Sequence, residues 1–475
     1  MALAIIAGLG LWSVAAYAPV FGGDPEIHII FARNLLQGHP LQFNPGEFSS
    51  GETSPVYMLL VAAMMVVLGA YVPLGMKLVG AASLAGLCFL IGRAARRQGA
   101  SALLATVLGA LPLVLPSTVF QAALGMENVL FACMVVLVLQ SWLDGCARRT
   151  IAIAGLPLLF FLRPEAALLG LCLLALALLD RDGRSILALI LGAAITFAAL
   201  AAVTAWTGVA VQAPGLMRAA LSRGDSLSLT VLGVRFWLDF KFVPFLLYCL
   251  PFAAVAWKLR ASADGTRREA AIVFFLFVLP LLLHLLTLFP STHFSRYFQY
   301  GYAVFFFLFA RLMARADRAG RAPAGYILAA IAVLAVSLVP LEHVRRPGVQ
   351  ASNLRQAIDE VSPAFVRHNS DALYEALGRP PVPVVIAVHE VQIRSRLDER
   401  FVVRSLDGVV DATMRRFVQN GAIDYGGYLE ARRVAYVFGG LPTNTGVCLS
   451  RKQLSPEPPT APAEVYIVMA PRGCR

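Results

Sequence analysis

Charge is what this sequence has least of. Asp, Glu, Lys and Arg make up 14% of its 475 residues against 58% hydrophobic, whereas soluble domains carry about a quarter charged. That balance, with a mean hydropathy of +0.71, excludes an ordinary soluble enzyme and calls for an integral membrane protein. The cysteines show no CxxC spacing. Cys88, Cys133, Cys146, Cys172 and Cys249 sit in or beside apolar runs, which argues against metal binding. Cys448 and Cys474 lie in the polar tail, where a disulfide forms if that tail is extracytoplasmic. There is no clear internal repeat of the kind that transporters carry. No Lys or Arg precedes the first apolar run, residues 3 to 21, and Pro19 would follow the cleavage-like Ala16-Tyr17-Ala18. The run therefore reads as a retained anchor. The net charge of +12 comes largely from short loops between apolar runs, where it sets topology. No nucleic-acid partner is expected.

The positive-inside rule puts Arg93, Arg96 and Arg97 in the cytoplasm, so one of the two preceding runs returns across the bilayer. Val56 to Leu68 falls short of the roughly 20 residues of a span. We therefore expect an interfacial helix there and a span at 74 to 93. Further spans are expected near 101–118, 128–143, 151–162, 166–179, 185–206, 243–257, 270–289, 299–313 and 324–341. Arg148, Arg149, Arg181, Arg184, Lys258 to Arg268 and Arg311 to Arg321 then fall in cytoplasmic turns. The expected fold is a membrane all-α bundle of about eleven spans with interfacial helices, N-terminus inside and C-terminus outside. Thr207 to Phe242, with Phe236, Trp237, Phe240 and Phe242, reads as one interfacial helix. From Glu342 hydropathy drops and Pro and charge rise, marking a soluble domain of about 130 residues. Strands are expected at 382–388, 401–403, 434–438 and 465–470, and helices near 352–377 and 411–420, a small α/β domain. The chain thus divides into a membrane catalytic domain, 1–341, and an extracytoplasmic domain, 342–475.

The polar stretch from Gly22 to Pro55 stands out. Asp24 before Pro25 fits a helix start, with the carboxylate as N-cap and Pro at the first helical position. The helix runs to about Gln37 and stops at Gly38. Ile27, Phe31 and Leu35 form its apolar stripe, flanked by Asp24 and His28, with Glu26, Arg33 and Gln37 opposite. Such a helix lies along a membrane surface. Farther on, the runs flanking Arg163-Pro164-Glu165 are too short to span alone, so their junction sits below the membrane surface. Ionisable groups at that depth point to a functional site, although Arg163 and Glu165 also fit a structural ion pair.

The 22–55 segment resembles the first extracytoplasmic loop of the GT-C glycosyltransferases, in particular the arabinofuranosyltransferase-like branch. The matching pieces are Asp24 and Ile27, Ala32-Arg33-Asn34-Leu35, Gly38-His39, Phe43-Asn44-Pro45-Gly46 and Gly51-Glu52-Thr53-Ser54-Pro55. The family has an acid pair where this chain has Gly23-Asp24, which leaves Asp24 as the implied base. Leu124-Gly125-Met126-Glu127, Arg163-Pro164-Glu165 and the cluster around His293, Arg296 and Tyr297 resemble further family turns. The resemblance implies an enzyme that takes a sugar, arabinofuranose in that branch, from a polyprenyl-phosphate donor in the bacterial inner membrane. The acceptor is an extracytoplasmic glycan, lipid or protein.

Such a donor leaves as a phosphate and needs no general acid. One carboxylate to accept the acceptor's proton suffices, and no cofactor is required beyond the donor. A glycoside hydrolase would want two facing carboxylates. Asp24 is the expected base, with the N-cap role as its alternative. Arg163 and Arg296 are the expected phosphate binders. Glu26, His28, Arg33, Asn34, Glu127, Glu165, His293 and Tyr297 are expected around the substrates, although Glu26 and Arg33 also fit a solvated face. The competing readings are a transporter or flippase for lipid-linked sugars, and a surface-polysaccharide polymerase or ligase.

Overall fold

The computed structural model describes residues 20–21, 23–209, 263–280, 298–318, 352–389, 391–406, 410–419, 422–438, 449–454 and 464–468. The spans expected at 243–257 and 324–341, nearly all of the span at 3–21 and of the interfacial helix at 207–242, and Cys448 and Cys474 lie outside these residues.

In chain order, helix α1 (Pro25–Leu36) leads into strands β1 (Gln42–Asn44) and β2 (Glu47–Phe48). Then come α2 (Pro55–Leu68), α3 (Val72–Arg97), α4 (Ala102–Ala110), α5 (Pro116–Ala123), α6 (Asn128–Leu143), α7 (Cys146–Leu162), α8 (Ala166–Leu179) and α9 (Gly183–Thr207). Helices α10 (Ala263–Val273) and α11 (Gln299–Arg318) follow. The C-terminal part holds α12 (Leu354–Glu360), α13 (Pro363–Ala376), β3 (Val384–Val388), β4 (Phe401–Ser405), α14 (Tyr425–Ala431), β5 (Tyr436–Phe438), β6 (Leu449–Gln453) and β7 (Glu464–Val468). The chain divides into two compact units: Met1–Phe21, Met76–Ala198 and Leu227–Ala351 form one, and Gly22–Gly75, Ala199–Ser226 and Ser352–Arg475 the other.

The first unit is helical, with α6 packed on α11. Val135, Val136 and Leu139 of α6 and Phe307, Leu308 and Ala310 of α11 are all buried. Lipid tails give no hydrophobic drive between helices, so small residues that let backbones approach do the work. Gly92 on α3 meets Gly109 on α4, where a Cβ on Gly109 would lie 3.1 Å from the Gly92 Cα and 2.8 Å from the Cys88 carbonyl. Gly80 sits against the Ala122 carbonyl of α5, leaving no room for any side chain. The span expected at 101–118 is therefore broken, α4 ending in a 3₁₀ turn at Leu111–Val114 before Pro116 starts α5.

Ionic contacts gather the turns that the charge rule assigns to one side. Arg97 pairs with Asp144, Arg149 with Asp180 and Asp182 (2.7 and 3.1 Å), Arg268 with Asp180, and Arg318 donates to the Gln98 carbonyl. At the other ends of α6 and α8 lie the Glu127 and Arg163 turns. Leu187, Ile190, Leu191, Ile195 and Phe197 leave α9 broadly apolar on its exposed surface, as a lipid-facing helix requires. Among the described residues, α9 and the 43-residue stretch Pro55–Arg97 are long and apolar enough to cross a membrane, by length and composition. Val56 to Leu68 falls in α2, which ends at Gly69 (φ +56°) and is followed by the 3₁₀ turn Gly69–Tyr71.

The second unit combines the N-terminal loop with the C-terminal sheet, in the order β6-β7-β5-β3-β4. β3 pairs in parallel with both β4 and β5, and β7 runs antiparallel to β5 and β6. The parallel strands are nearly continuous in Val, Ile and Phe, as burial on both faces demands. Strand β6, which the hydropathy pattern did not predict, is a polar edge strand with no fully buried residue. The single helix expected over 352–377 is two, because Ser362 caps the Phe365 amide at 3.3 Å and Pro363 opens α13. The helix expected at 411–420 is a 3₁₀ turn over Ala412–Phe417.

Candidate functional site

The loop residues belong to the second unit. Helix α1 opens as expected, with Pro25 first, but Asp24 makes no side-chain capping bond. The turn before it does that work: Gly23, at φ +82°, offers its carbonyl to the Glu26 amide at 3.1 Å, and the Asp24 carbonyl accepts from Ile27 at 2.9 Å. The capping role is therefore overturned. Nor does α1 present an exposed polar face, since Pro25 to Ala32 and Asn34 are all buried.

One turn beyond Asp24, His28 is 5% exposed and Glu52 2%. His28 Nδ1 lies 3.1 and 3.0 Å from the two Glu52 carboxylate oxygens. The Ser54 amide donates to the same carboxylate at 2.7 Å, and the Tyr57 ring stands edge-on to the imidazole, 5.1 Å between centroids. A buried carboxylate so placed fixes the imidazole's orientation and holds a proton on Nδ1.

Glu26 and Arg33 do not face solvent as the helical wheel suggests. Ser395 Oγ donates to Glu26 at 3.0 Å, and Arg396 pairs with Glu26 at 3.3 Å and with Glu360 at 2.7 Å. The Arg33 guanidinium donates to the Ser395 and Arg394 carbonyls at 2.9 and 3.1 Å, at the end of the 3₁₀ turn Val391–Arg396. Burial lowers Arg33 to about 10, opposed by Glu399 and Asp398, so it stays charged at neutral pH. Asn34 donates to the Gln42 and Phe43 carbonyls at 2.8 and 2.9 Å and so holds the loop hairpin. The partners of Glu26 and Arg33 come from far along the chain, which helical periodicity does not report.

Burial raises the Glu26 carboxyl above its ordinary value, a rise that Arg396 and Ser395 only partly offset. A carboxyl raised in the folded state binds more protons there than in the unfolded chain. Stability is then greatest below the unfolded value and falls as pH rises through the folded one. Glu26→Gln should flatten that fall, which begins above the ordinary carboxyl value, read from unfolding temperatures across pH. Arg396 keeps Glu360, so no charge is orphaned. An unchanged pH profile would remove Glu26 as its cause.

The first unit holds the other polar turns. Arg163, 5% exposed, donates to Glu127 at 2.6 Å and to Glu165 at 2.7 and 3.2 Å, and also to Asn128. Asn128 in turn donates to Gln121 at 2.8 Å. Tyr300 packs edge-on to Phe131 and lies within electrostatic reach of Glu165 and Arg163. One cation thus stands between two carboxylates where α6, α7 and α8 meet. The Glu127 and Arg163 turns are brought together as their shared placement requires. His293, Arg296 and Tyr297 lie outside the described residues.

Sequence reasoning passed over Glu52 and Asn128. The signal was there for both: a charged residue inside the Gly51-Glu52-Thr53-Ser54-Pro55 motif, and a polar one directly after Glu127. Ser395, Arg396 and Glu360 carried no such signal.

No family model matches the chain, and no curated protein matches it in sequence. In structure it is similar to ArnT from Cupriavidus metallidurans, solved bound to undecaprenyl phosphate. The match covers 98% of this chain and 97% of that one at 14% identity, with a TM-score of 0.50. The GT-C fold implied by the loop motifs is therefore the fold of this chain, a helical membrane fold with a sheet towards its C-terminal end.

Proposed function

We propose that the protein is an inverting glycosyltransferase of the bacterial inner membrane that moves a sugar from a polyprenyl-phosphate donor to an acceptor outside the cytoplasm. The observation that carries this reading is the end-to-end likeness to a protein solved with undecaprenyl phosphate. Arabinofuranose is the sugar that the loop motifs imply, and a cell-envelope glycan, lipid or protein is the acceptor. Residues 1–341 form the membrane catalytic domain and 342–475 the extracytoplasmic domain in this proposal.

Asp24 takes the proton of the acceptor hydroxyl as that oxygen bonds the anomeric carbon from the face opposite the phosphate. The phosphate leaves without a general acid, because its own acidity suffices. Arg163 and Arg296 meet its charge, Arg163 by exchanging one of its carboxylate partners for phosphate oxygens.

Mass spectrometry of lipids bound to the purified protein tests the donor class. A polyprenyl-phosphate sugar is expected, converted to free polyprenyl phosphate when acceptor is added. Failure to retain such lipids from a supplied mixture would sink the reading. Retention and passage across a vesicle bilayer without conversion would instead make the protein a flippase.

A further inference from the structure

We infer that Phe48 and Trp206 form an aromatic seat that holds the β1–β2 hairpin at the headgroup level of the outer leaflet and, through the hairpin, sets the depth at which α1 stands. The inference rests on the transferase reading and deepens it. Both rings belong to the second unit. Trp206, in the last turn of α9, is 57% exposed, and Phe48 on β2 stands edge-on to it with 5.2 Å between ring centroids. Arg184, exposed in the first turn of α9, belongs to the basic end that the charge rule places in the cytoplasm. The 22 residues from Arg184 to Trp206 rise about 33 Å along the helix, against a hydrocarbon layer about 30 Å thick. No charged residue stands between them. Trp206 therefore reaches the opposite headgroups, where indole rings collect because their bodies are apolar and their N–H groups polar. Helix α2 gives the same unit a face for hydrocarbon: Leu59, Val66 and Val67 are exposed, and no charged residue occurs from Pro55 to Val72.

The seat is joined to α1 by a short series of contacts. Phe48 pairs with Gln42 across the hairpin, and the Gln42 and Phe43 carbonyls accept from Asn34 of α1 at 2.8 and 2.9 Å. Glu47, next to Phe48, is held by Arg404 and Arg432, so the hairpin does not pivot freely about the rings. A carrier phosphate keeps its charge out of hydrocarbon, where charge is costly, and so lies at headgroup level. The hairpin presents α1 at that level. Phe48 and Trp206 are thus positioning residues, which touch the bilayer and each other and act on transfer by placing α1 against a donor whose depth the bilayer fixes.

The rings trade places in Phe48→Trp combined with Trp206→Phe, which keeps the pair and moves the indole onto the hairpin. In full-length protein in nanodiscs, the fluorescence of an indole at 206 is the difference between wild type and Trp206→Phe, and that of an indole at 48 is the difference between the exchanged protein and Trp206→Phe. Both should be quenched most by phospholipids brominated at the top of the acyl chain and little by iodide in the water. Quenching of either by iodide alone, or most by bromine at the chain ends, overturns the seat. Transfer kinetics test what the seat does. Phe48→Ala should raise KM for a long-chain polyprenyl-phosphate sugar in nanodiscs by about 3- to 10-fold, the scale of one aromatic contact, and leave KM for a short-chain, water-soluble donor unchanged. Should Phe48→Ala fail to fold, Phe48→Leu, which keeps apolar volume without the ring, carries the same comparison. A ring that only packs the fold would move both donors together or neither, and either result overturns the positioning role. Interfacial quenching at both sites in a protein that transfers nothing from polyprenyl-phosphate sugars would leave the seat standing and overturn the transferase reading, and the seat's role in transfer with it.

Discussion

Asp24→Asn should fold, insert and bind donor lipid as the wild type does, and should lose transfer by about 10²- to 10⁴-fold, the range for removal of a general base. The two halves of that expectation rest on different observations. The first amides of helix α1 are taken by the Gly23 and Asp24 carbonyls and not by the Asp24 side chain. Even where a side chain does cap, Asn serves about as well as Asp. Chemistry, by contrast, needs a lone pair that takes a proton at neutral pH, and an amide oxygen does not. Transfer from a synthetic polyprenyl-phosphate sugar, measured beside thermal unfolding, separates the two. Near-wild-type transfer would move the base to Glu127 or Glu165, carboxylates in the motif-bearing turns of the helical part. Loss of transfer together with loss of fold would return Asp24 to structure.

Much of this was legible in the chain, and the boundary of legibility has a physical basis. Helix α1 ends where Gly38 says it should, because a residue with φ of +86° suits glycine and punctuates the helix. The Glu127 and Arg163 turns meet because two short apolar helices cannot bury their polar junction alone. What the sequence did not disclose depends on contacts across long separations. Glu26 reads as solvated on a helical wheel and is buried because Ser395, Arg396 and Glu360 arrive from the C-terminal part. Asn34 and Asn44 read as motif letters. They turn out to bind backbone, Asn44 joining the Val403 carbonyl and amide at 2.8 and 3.0 Å. Glu47 likewise pairs with Arg404 and Arg432, and those bonds lower its carboxyl. The loop therefore owes its shape to the C-terminal sheet as much as to its own turns.

Arg163→Ala carries the second large effect, and its two consequences can be pulled apart. The side chain stands between Glu127 and Glu165 with Asn128 beside it, and Glu127 is 3% exposed. Removing the cation leaves a buried carboxylate without its partner and a second one half relieved. Loss of one member of a buried pair costs about 3–5 kcal/mol, so the variant should unfold well below the wild type in detergent and bind donor poorly. That result alone does not distinguish a phosphate ligand from a structural ion. The discriminating protein is Arg163→Met combined with Glu127→Gln and Glu165→Gln, in which the cavity is refilled and no charge is stranded. Replacing a complete buried ion cluster by neutral groups of similar volume is often neutral or stabilising, so most of the lost stability should return. Donor affinity should not return if Arg163 exchanges a carboxylate for the carrier phosphate, because the triple variant has no cation there to offer the donor's phosphodiester. A triple variant that regains both stability and donor affinity would restrict Arg163 to holding α6, α7 and α8 together, and the carrier phosphate would then have to be met elsewhere.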